Sequence, residues 1–471
     1  MDKPVEKCAV FGASVNTGEA AGLTYNGLLA LQHRGQEGAG IAVSRGAEIA
    51  CVKDVGLVSE VFSAGKVERL SPAHLAVGHT RYSTTGGNSQ RNVQPVVTEY
   101  LTGRIALAHN GNVVNAAEIK HELMTKGLSF LASSDSEVIS SLIAYGAMET
   151  GDTYKGVAAA AKRLEGAFSL VILSSAGQTA PGRIFAVRDR HGFRPLCIGE
   201  SEDGMVVASE SCAVESCGFN FVRDVEPGEI VVIENGKIVK SGFYDKPGGA
   251  GLCIFEYVYF ARPDSIIDNL SVDAARRNMG RILSEECPAD ADVVCGVPDS
   301  GLAAAAGYAA ASGLPLVEGF FKNRYIGRSF IFPTQRQREN AVQLKLNPLR
   351  ANVRDKRVVL IDDSMVRGTT AAKIVRMMRN AGAREVHIRL SSPPFIHTCH
   401  FGIDIDSEEN LIANQQTAEE IRAQINADSL GYISIDGLKR ACAGSNRGFC
   451  VGCFSGDYGL EVKSQLKNSL E

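Results

Sequence analysis

Hydrophobic positions along the chain fall into two rhythms. Val358, Val359, Leu360 and Ile361 form an unbroken, β-branched-rich run, the pattern of a strand buried on both faces. Ile374, Met377, Met378 and Ala381 then recur at helical spacing, with Gly382 as the stop, and residues 385–390 return to a strand pattern. Strand, loop, helix and strand in that order predict an open α/β sheet, which binds ligands beyond the carboxyl ends of its strands. Residues 293–297 make a second apolar strand ahead of a tight polar turn, Pro298-Asp299-Ser300-Gly301.

The first half has a different texture. Residues 8–12 read as a strand with Cys8 at its first position, and the runs 75–77 and 105–108 each end in a polar cluster. From residue 138 to about 242, apolar strands such as 167–173, 184–187 and 229–233 are expected to alternate with helices. Residues 244–251 hold one proline and three glycines and predict a linker. The division expected is a leading segment 1–7, a domain 8–243, a linker 244–252 and a second domain 253–471. Periodicity alone supports α+β for the first domain and α/β for the second.

A chain of 471 residues is too long for one ordinary domain, and 45% apolar content supplies a core to each half. The 49 basic and 53 acidic residues leave a net charge of −4, with no footprint for nucleic acid. No apolar run approaches the roughly 18 residues a membrane span needs, and residues 1–7 lack a signal-peptide core. The expectation is a soluble, cytoplasmic protein. Its 12 cysteines are then unlike a disulfide framework. Cys51, Cys197, Cys212, Cys217, Cys287, Cys295 and Cys442 mostly sit among apolar or small residues and read as packing thiols.

Chemistry enters first at the loop after Ile361. Asp362 and Asp363 are acceptors for a diol or a divalent cation. Arg367 opens a short loop, and Gly368, Thr369 and Thr370 at a helix start offer N–H groups, hydroxyls and a positive dipole end to a phosphate. Phosphate beside vicinal hydroxyls means a sugar phosphate. The spaced glycines and Gly-Lys-Ser/Thr ending of a nucleotide P-loop are missing. The string resembles the phosphoribosyl pyrophosphate (PRPP) motif of type I phosphoribosyltransferases. That resemblance implies that the two acids hold the ribose hydroxyls and Mg²⁺, that Ser300 lies near the Mg²⁺, and that residues 367–370 grip the 5′-phosphate. It also makes the basic run 322–345 a lid over pyrophosphate.

Four polar clusters follow Cys8: His33-Arg34-Gly35, His79-Thr80-Arg81, His109-Asn110-Gly111 and Ser134-Asp135-Ser136. Gathered near strand ends, they suggest one shared pocket. In this order they resemble the class II glutamine amidotransferases, whose N-terminal nucleophile (Ntn) hydrolase domain is an αββα sandwich. The resemblance implies Cys8 as nucleophile and Asn110 with the Gly111 N–H as oxyanion donors. It assigns glutamine binding to Arg81, Asp135 and Arg34: Arg81 on the α-carboxylate, Asp135 on the α-ammonium and Arg34 beside the nucleophile. Because Cys8 is not the encoded first residue, it also implies a propeptide, residues 1–7, whose removal frees the α-amine of Cys8.

Cys450-Val451-Gly452-Cys453 is a Cys-x-x-Cys pair, for which zinc and iron–sulfur are both readings of the spacing. Together the two halves resemble the glutamine PRPP amidotransferases, and Cys253, Cys399, Cys450 and Cys453 match the [4Fe–4S] ligands of one branch. This implies 5-phosphoribosylamine formation from glutamine and PRPP at the start of purine synthesis. It further implies internal ammonia transfer past Tyr82, Tyr259 and Tyr325, purine nucleotides as feedback inhibitors, and a homo-oligomer, a tetramer in the family. A different class II amidotransferase, a salvage phosphoribosyltransferase or a non-catalytic phosphoribosyltransferase-like regulator would each lack one half of this pattern.

Overall fold

The computed structural model describes residues 8–460, apart from 64, 83–88, 176–180, 250, 324–345, 404–406 and 446. The expected segment 1–7, Tyr325 and most of the basic run 322–345 lie outside the described residues.

Two antiparallel sheets stack in the first half. One has the strand order β11 (Asn220–Asp224), β9 (Cys197–Ser201), β10 (Gly204–Ala208), β1 (Ala9–Val15), β4 (Leu75–Arg81), β2 (Gly38–Arg45) and β3 (Glu48–Val55). The other runs β13 (Lys237–Phe243), β12 (Glu229–Glu234), β8 (Arg183–Arg188), β7 (Gly166–Ser174), β6 (Gly103–Val113) and β5 (Val96–Tyr100). Val10, Val77, Ala106, Ala108 and Val171 interdigitate between the sheets. The opposite faces are covered by helices: Ala20–Ala30 over the first sheet, and Asp135–Thr150 with Thr153–Arg163 over the second. The result is the four-layer αββα sandwich. Residues 138–242 do not alternate strand with helix as the apolar runs suggested. Two helices come first, then strands closing both sheets with only a six-residue helix, Ser211–Ser216, among them.

The second half is built on parallel strands in the order β14 (Val293–Gly296), β15 (Arg357–Asp362), β16 (Glu385–Leu390) and β17 (Ser429–Tyr432). Alternation decides their faces: Val294, Val359 and Ile361 enter one core, while Val293, Cys295, Val358 and Leu360 enter the other. The helix Thr369–Asn380 turns Ile374, Val375 and Met378 onto the second of these cores and stops at Gly382, whose φ is +99°.

Residues 244–249 carry no helix or strand, yet they do not hang free. Tyr244 stacks on Phe168 with ring centroids 6.4 Å apart, and the Gly248 N–H donates to the Arg190 carbonyl at 2.5 Å. The next core opens with Leu252.

Buried ion pairs join the halves. Arg188, fully buried, donates from Nη1 and Nη2 to the two carboxylate oxygens of Asp268 at 3.0 and 3.2 Å. Its remaining donors reach the carbonyls of Arg194, Val225 and Gly192. All five guanidinium donors are used, which is what makes such a burial tolerable. Arg188→Ala strands a buried carboxylate with only Arg447 beside it, and should lower unfolding stability by about 3–5 kcal/mol in urea titration. A loss below about 1 kcal/mol would reduce the pair to the rank of a surface salt bridge.

Candidate active site

In the first half the site is assembled from strand interiors. The polar clusters after residues 77 and 108 continue their strands rather than ending them: β4 carries His79, Thr80 and Arg81, and β6 carries His109, Asn110 and Gly111. Ala9 lies opposite Thr80 in the β1–β4 ladder, which sets Cys8 beside Arg81. Cys8 is buried, its backbone φ is +135°, and its thiol lies 3.9 Å from the Tyr82 carbonyl.

The two sheets are tied at this point by one hydrogen bond. His79 Nε2 donates to the His109 carbonyl at 3.0 Å, and burial drops its pKa to about 3, so the ring is neutral. That bond sets Arg81, two residues on, near Asn110 and Asp135. Asp135 opens the helix Asp135–Thr150, accepts from the Val113 N–H at 3.1 Å and lies 3.6 Å from His109 Nδ1. Burial opposes its ionisation, but His109 and these donors outweigh that and keep it below the usual carboxylate range. Arg81 feels burial first, which lowers its pKa, and then the fields of Cys8, Glu37 and Asp135.

Asn110 is 1% exposed, and its Nδ2 has no hydrogen-bond acceptor among the described residues. A buried donor without an acceptor is rare and costs about 1–3 kcal/mol. Here it is the arrangement an incoming oxyanion requires. Gly111 follows at φ +145°, where a Cβ would come within 2.0 Å of the Ala167 carbonyl oxygen, so only glycine fits.

Arg34 is buried beside Cys8, and its guanidinium donates to Glu210, Glu256 and the Cys8 carbonyl. Glu210 and Glu256 were not among the residues expected at the site. Burial opposes the ionisation of Glu210, yet His33 and Arg34 hold it well below the ordinary range. Glu256 had one visible signal, a lone charge inside the apolar run 253–260.

The second site lies at the carboxyl end of β15. Asp362, Ser364, Gly368, Thr370 and Val297 line a cleft of about 380 Å³. Asp363 is fully buried and accepts from the Ser364 hydroxyl, while Arg367 and Thr369 are exposed. The turn with Ser300 is pinned alongside, since the Val297 N–H donates to the Ile361 carbonyl at 2.8 Å. A Cβ on Gly301 would come within 2.3 Å of that same oxygen. Lys322, where the basic run begins, pairs with Asp299 of this turn.

Of the remaining expected residues, Cys253 and Cys450 are register partners in a short parallel ladder, and Cys399 packs on both neighbouring cores. Cys453 lies within electrostatic reach of the other three thiols. None of the 12 cysteines is in a disulfide, and Cys197, Cys212, Cys295 and Cys442 are buried as packing thiols. Among the described residues, no three His, Cys, Asp or Glu side chains are gathered closely enough to hold a single metal ion. Tyr82 and Tyr259 are partly buried, and Tyr259 packs on Phe255 and Phe260.

Two family models match the chain, a glutamine amidotransferase domain over residues 79–216 and a phosphoribosyl transferase domain over 264–391. The amidophosphoribosyltransferase of Methanocaldococcus jannaschii is 46% identical over 470 residues, covering 97% of this chain and 98% of that protein. That of Archaeoglobus fulgidus is 47% identical over 463 residues, covering 97% and 99%. The chain belongs to the amidophosphoribosyltransferase family. A solved glutamine PRPP amidotransferase from B. subtilis, complexed with ADP and GMP, superposes with a TM-score of 0.87 at 42% identity, covering 97% of this chain and 98% of that one. A structure described as the allosteric regulatory enzyme of purine biosynthesis gives 0.89 at 43%, covering 97% of each.

Asp362 and Asp363 are adjacent at the carboxyl end of β15, and the expectation that they hold ribose hydroxyls and a cation can be tested directly. Replacing both by Asn should weaken Mg²⁺-dependent PRPP binding about tenfold or more in equilibrium titration. Unchanged affinity would remove them from the site.

Proposed function

We propose that the chain hydrolyses glutamine at Cys8 and passes the ammonia internally to PRPP, forming 5-phosphoribosylamine, pyrophosphate and glutamate. This is the first committed step of purine nucleotide synthesis. The observation that carries the reading is that one polypeptide holds both a buried cysteine beside Arg81 and a cleft with Asp362, Gly368 and Thr370 in its lining at the end of a parallel strand.

The Cys8 thiol gives its proton to the α-amine that is freed when residues 1–7 are removed, its sulfur attacks the glutamine amide carbon, and the α-ammonium then passes that proton to the leaving nitrogen. Asn110 Nδ2 and the Gly111 N–H receive the oxyanion; ammonia leaves and water hydrolyses the thioester to glutamate. Arg81 and Asp135 orient the α-carboxylate and α-ammonium groups. Ammonia then attacks C1 of PRPP as pyrophosphate departs, in a pocket where Asp362, Asp363 and Ser300 would hold Mg²⁺ and residues 367–370 the 5′-phosphate. Only unprotonated ammonia is nucleophilic, which favours a closed path past Tyr82 and Tyr259. Purine nucleotides are the expected inhibitors, in keeping with the nucleotide-bound B. subtilis relative. A homo-oligomer, a tetramer by resemblance, is part of the same proposal. No helix among the described residues is long and apolar enough to cross a membrane, which is compatible with a cytoplasmic enzyme.

Four thiols drawn from three separate segments, free and within one another's electrostatic reach, suit a [4Fe–4S] cluster better than a single ion. Burial pushes the Cys450 thiol up to about 12, so the unliganded set is costly to ionise. Such a cluster would be structural, stabilising the fold by binding only the folded chain.

Cys8→Ser should abolish glutamine-dependent synthesis while leaving synthesis from free ammonia; loss of both would refute separate sites. Anaerobically purified protein should contain about four irons and four sulfides per chain and have an intact mass beginning at Cys8. Zinc without sulfide, or active enzyme retaining residues 1–7, would overturn those two assignments.

A further inference from the structure

Arg34 holds the nucleophile's main chain from both sides. Its Nε donates to the Cys8 carbonyl at 3.4 Å, and its own carbonyl accepts the Cys8 N–H at 3.3 Å. Of the two carboxylates that hold Arg34, Glu210 belongs to the same half and Glu256 to the other: Nη2 reaches both carboxylate oxygens of Glu256, at 3.0 and 3.1 Å. Glu256 also accepts from Arg194 Nη1 at 3.1 Å and has no solvent exposure.

Glu256 opens an unusual turn. Residues Glu256–Phe260 form a π-helical segment in which the Ala261 N–H donates to the Glu256 carbonyl, five residues back, at 3.0 Å. Single π turns free carbonyls that something else must satisfy, and they concentrate at functional sites. Arg276, from the helix Val272–Glu286, does so here, donating to the Tyr257 and Ala261 carbonyls at 2.7 Å each. Burial lowers the Arg276 pKa, and the strongest opposing field comes from Asp363, followed by Glu210. Hydrogen bonds therefore fasten the π turn to Arg276 on one side and, through Glu256 and Arg34, to the Cys8 main chain on the other.

We propose that Glu256 is a positioning residue for the glutamine site, setting the Cys8 main chain through Arg34. It touches no substrate. Its carboxylate is the point at which the second half of the molecule grips the first half's nucleophile. The inference rests on Cys8 being the glutamine nucleophile.

The full-length enzyme carrying Glu256→Gln tests it, with glutamine-dependent synthesis, ammonia-dependent synthesis and glutamine hydrolysis all measured. Glutamine-dependent synthesis should fall about ten- to a hundredfold, since small misplacements at a reacting centre have effects of that size. Ammonia-dependent synthesis should stay within about twofold, because that chemistry lies elsewhere. Should Glu256→Gln fail to fold, Glu256→Asp keeps the charge on a shorter arm and is read by the same ratio. Equal losses from glutamine and ammonia would mean a purely structural role and overturn the proposal, as would unchanged glutamine-dependent synthesis. If Cys8→Ser still hydrolysed glutamine, the nucleophile assignment would fail first, a separate outcome from a Glu256 variant that leaves glutamine use untouched.

Discussion

A lattice of buried carboxylates and guanidinium groups governs how the two halves of this molecule meet. Glu256 takes Arg34 and Arg194, Glu210 takes His33 and Arg34, and Asp268 takes Arg188 and Arg447. Stripping water from such charges is expensive, and their attraction recovers the cost only when the geometry leaves few donors and lone pairs unmet. An apolar interface could slide by an ångström at little cost; this one cannot. The lattice thus selects one relative placement of the two cores, and the Cys8 main chain is fastened directly to it.

The two halves reach their chemistry by different structural routes. In the antiparallel sandwich the candidate reactive groups lie in or beside strands and are buried. That suits an acyl transfer in which a fixed donor such as Asn110 Nδ2 must wait for a charge that exists only briefly. In the parallel sheet the groups sit on loops beyond the strand ends, open to a large polyanion. Helix starts and acidic side chains converge there because every parallel strand finishes on the same edge. Neither route could easily serve for the other, and joining them in one chain lets ammonia be made and used in one place.

Much of this was legible in residue order. The run 358–361 is apolar on consecutive positions, which only a strand covered on both faces tolerates, and its two covering cores are present. The helix after it kept its expected face because Ile374 and Met378 are spaced one turn apart. Polar clusters such as His79-Thr80-Arg81 misled in one respect. Polarity reads as the end of a buried strand, whereas here the strand continues and the polar groups are buried because they face each other.

Local patterning by itself therefore determined the two sheet types, the acidic loop of the second site and the residue kinds around Cys8, since each depends on neighbours a few positions away. Only the tertiary structure decided what Arg34 does. Its partners are 176 and 222 residues distant in the chain, and no spacing rule reaches that far. It likewise decided that the expected linker packs on Phe168, and that a lone glutamate in an apolar run meets two arginines instead of solvent. Buried charge is settled by whichever opposite charge the fold brings within about 3 Å, and that is a property of the folded molecule alone.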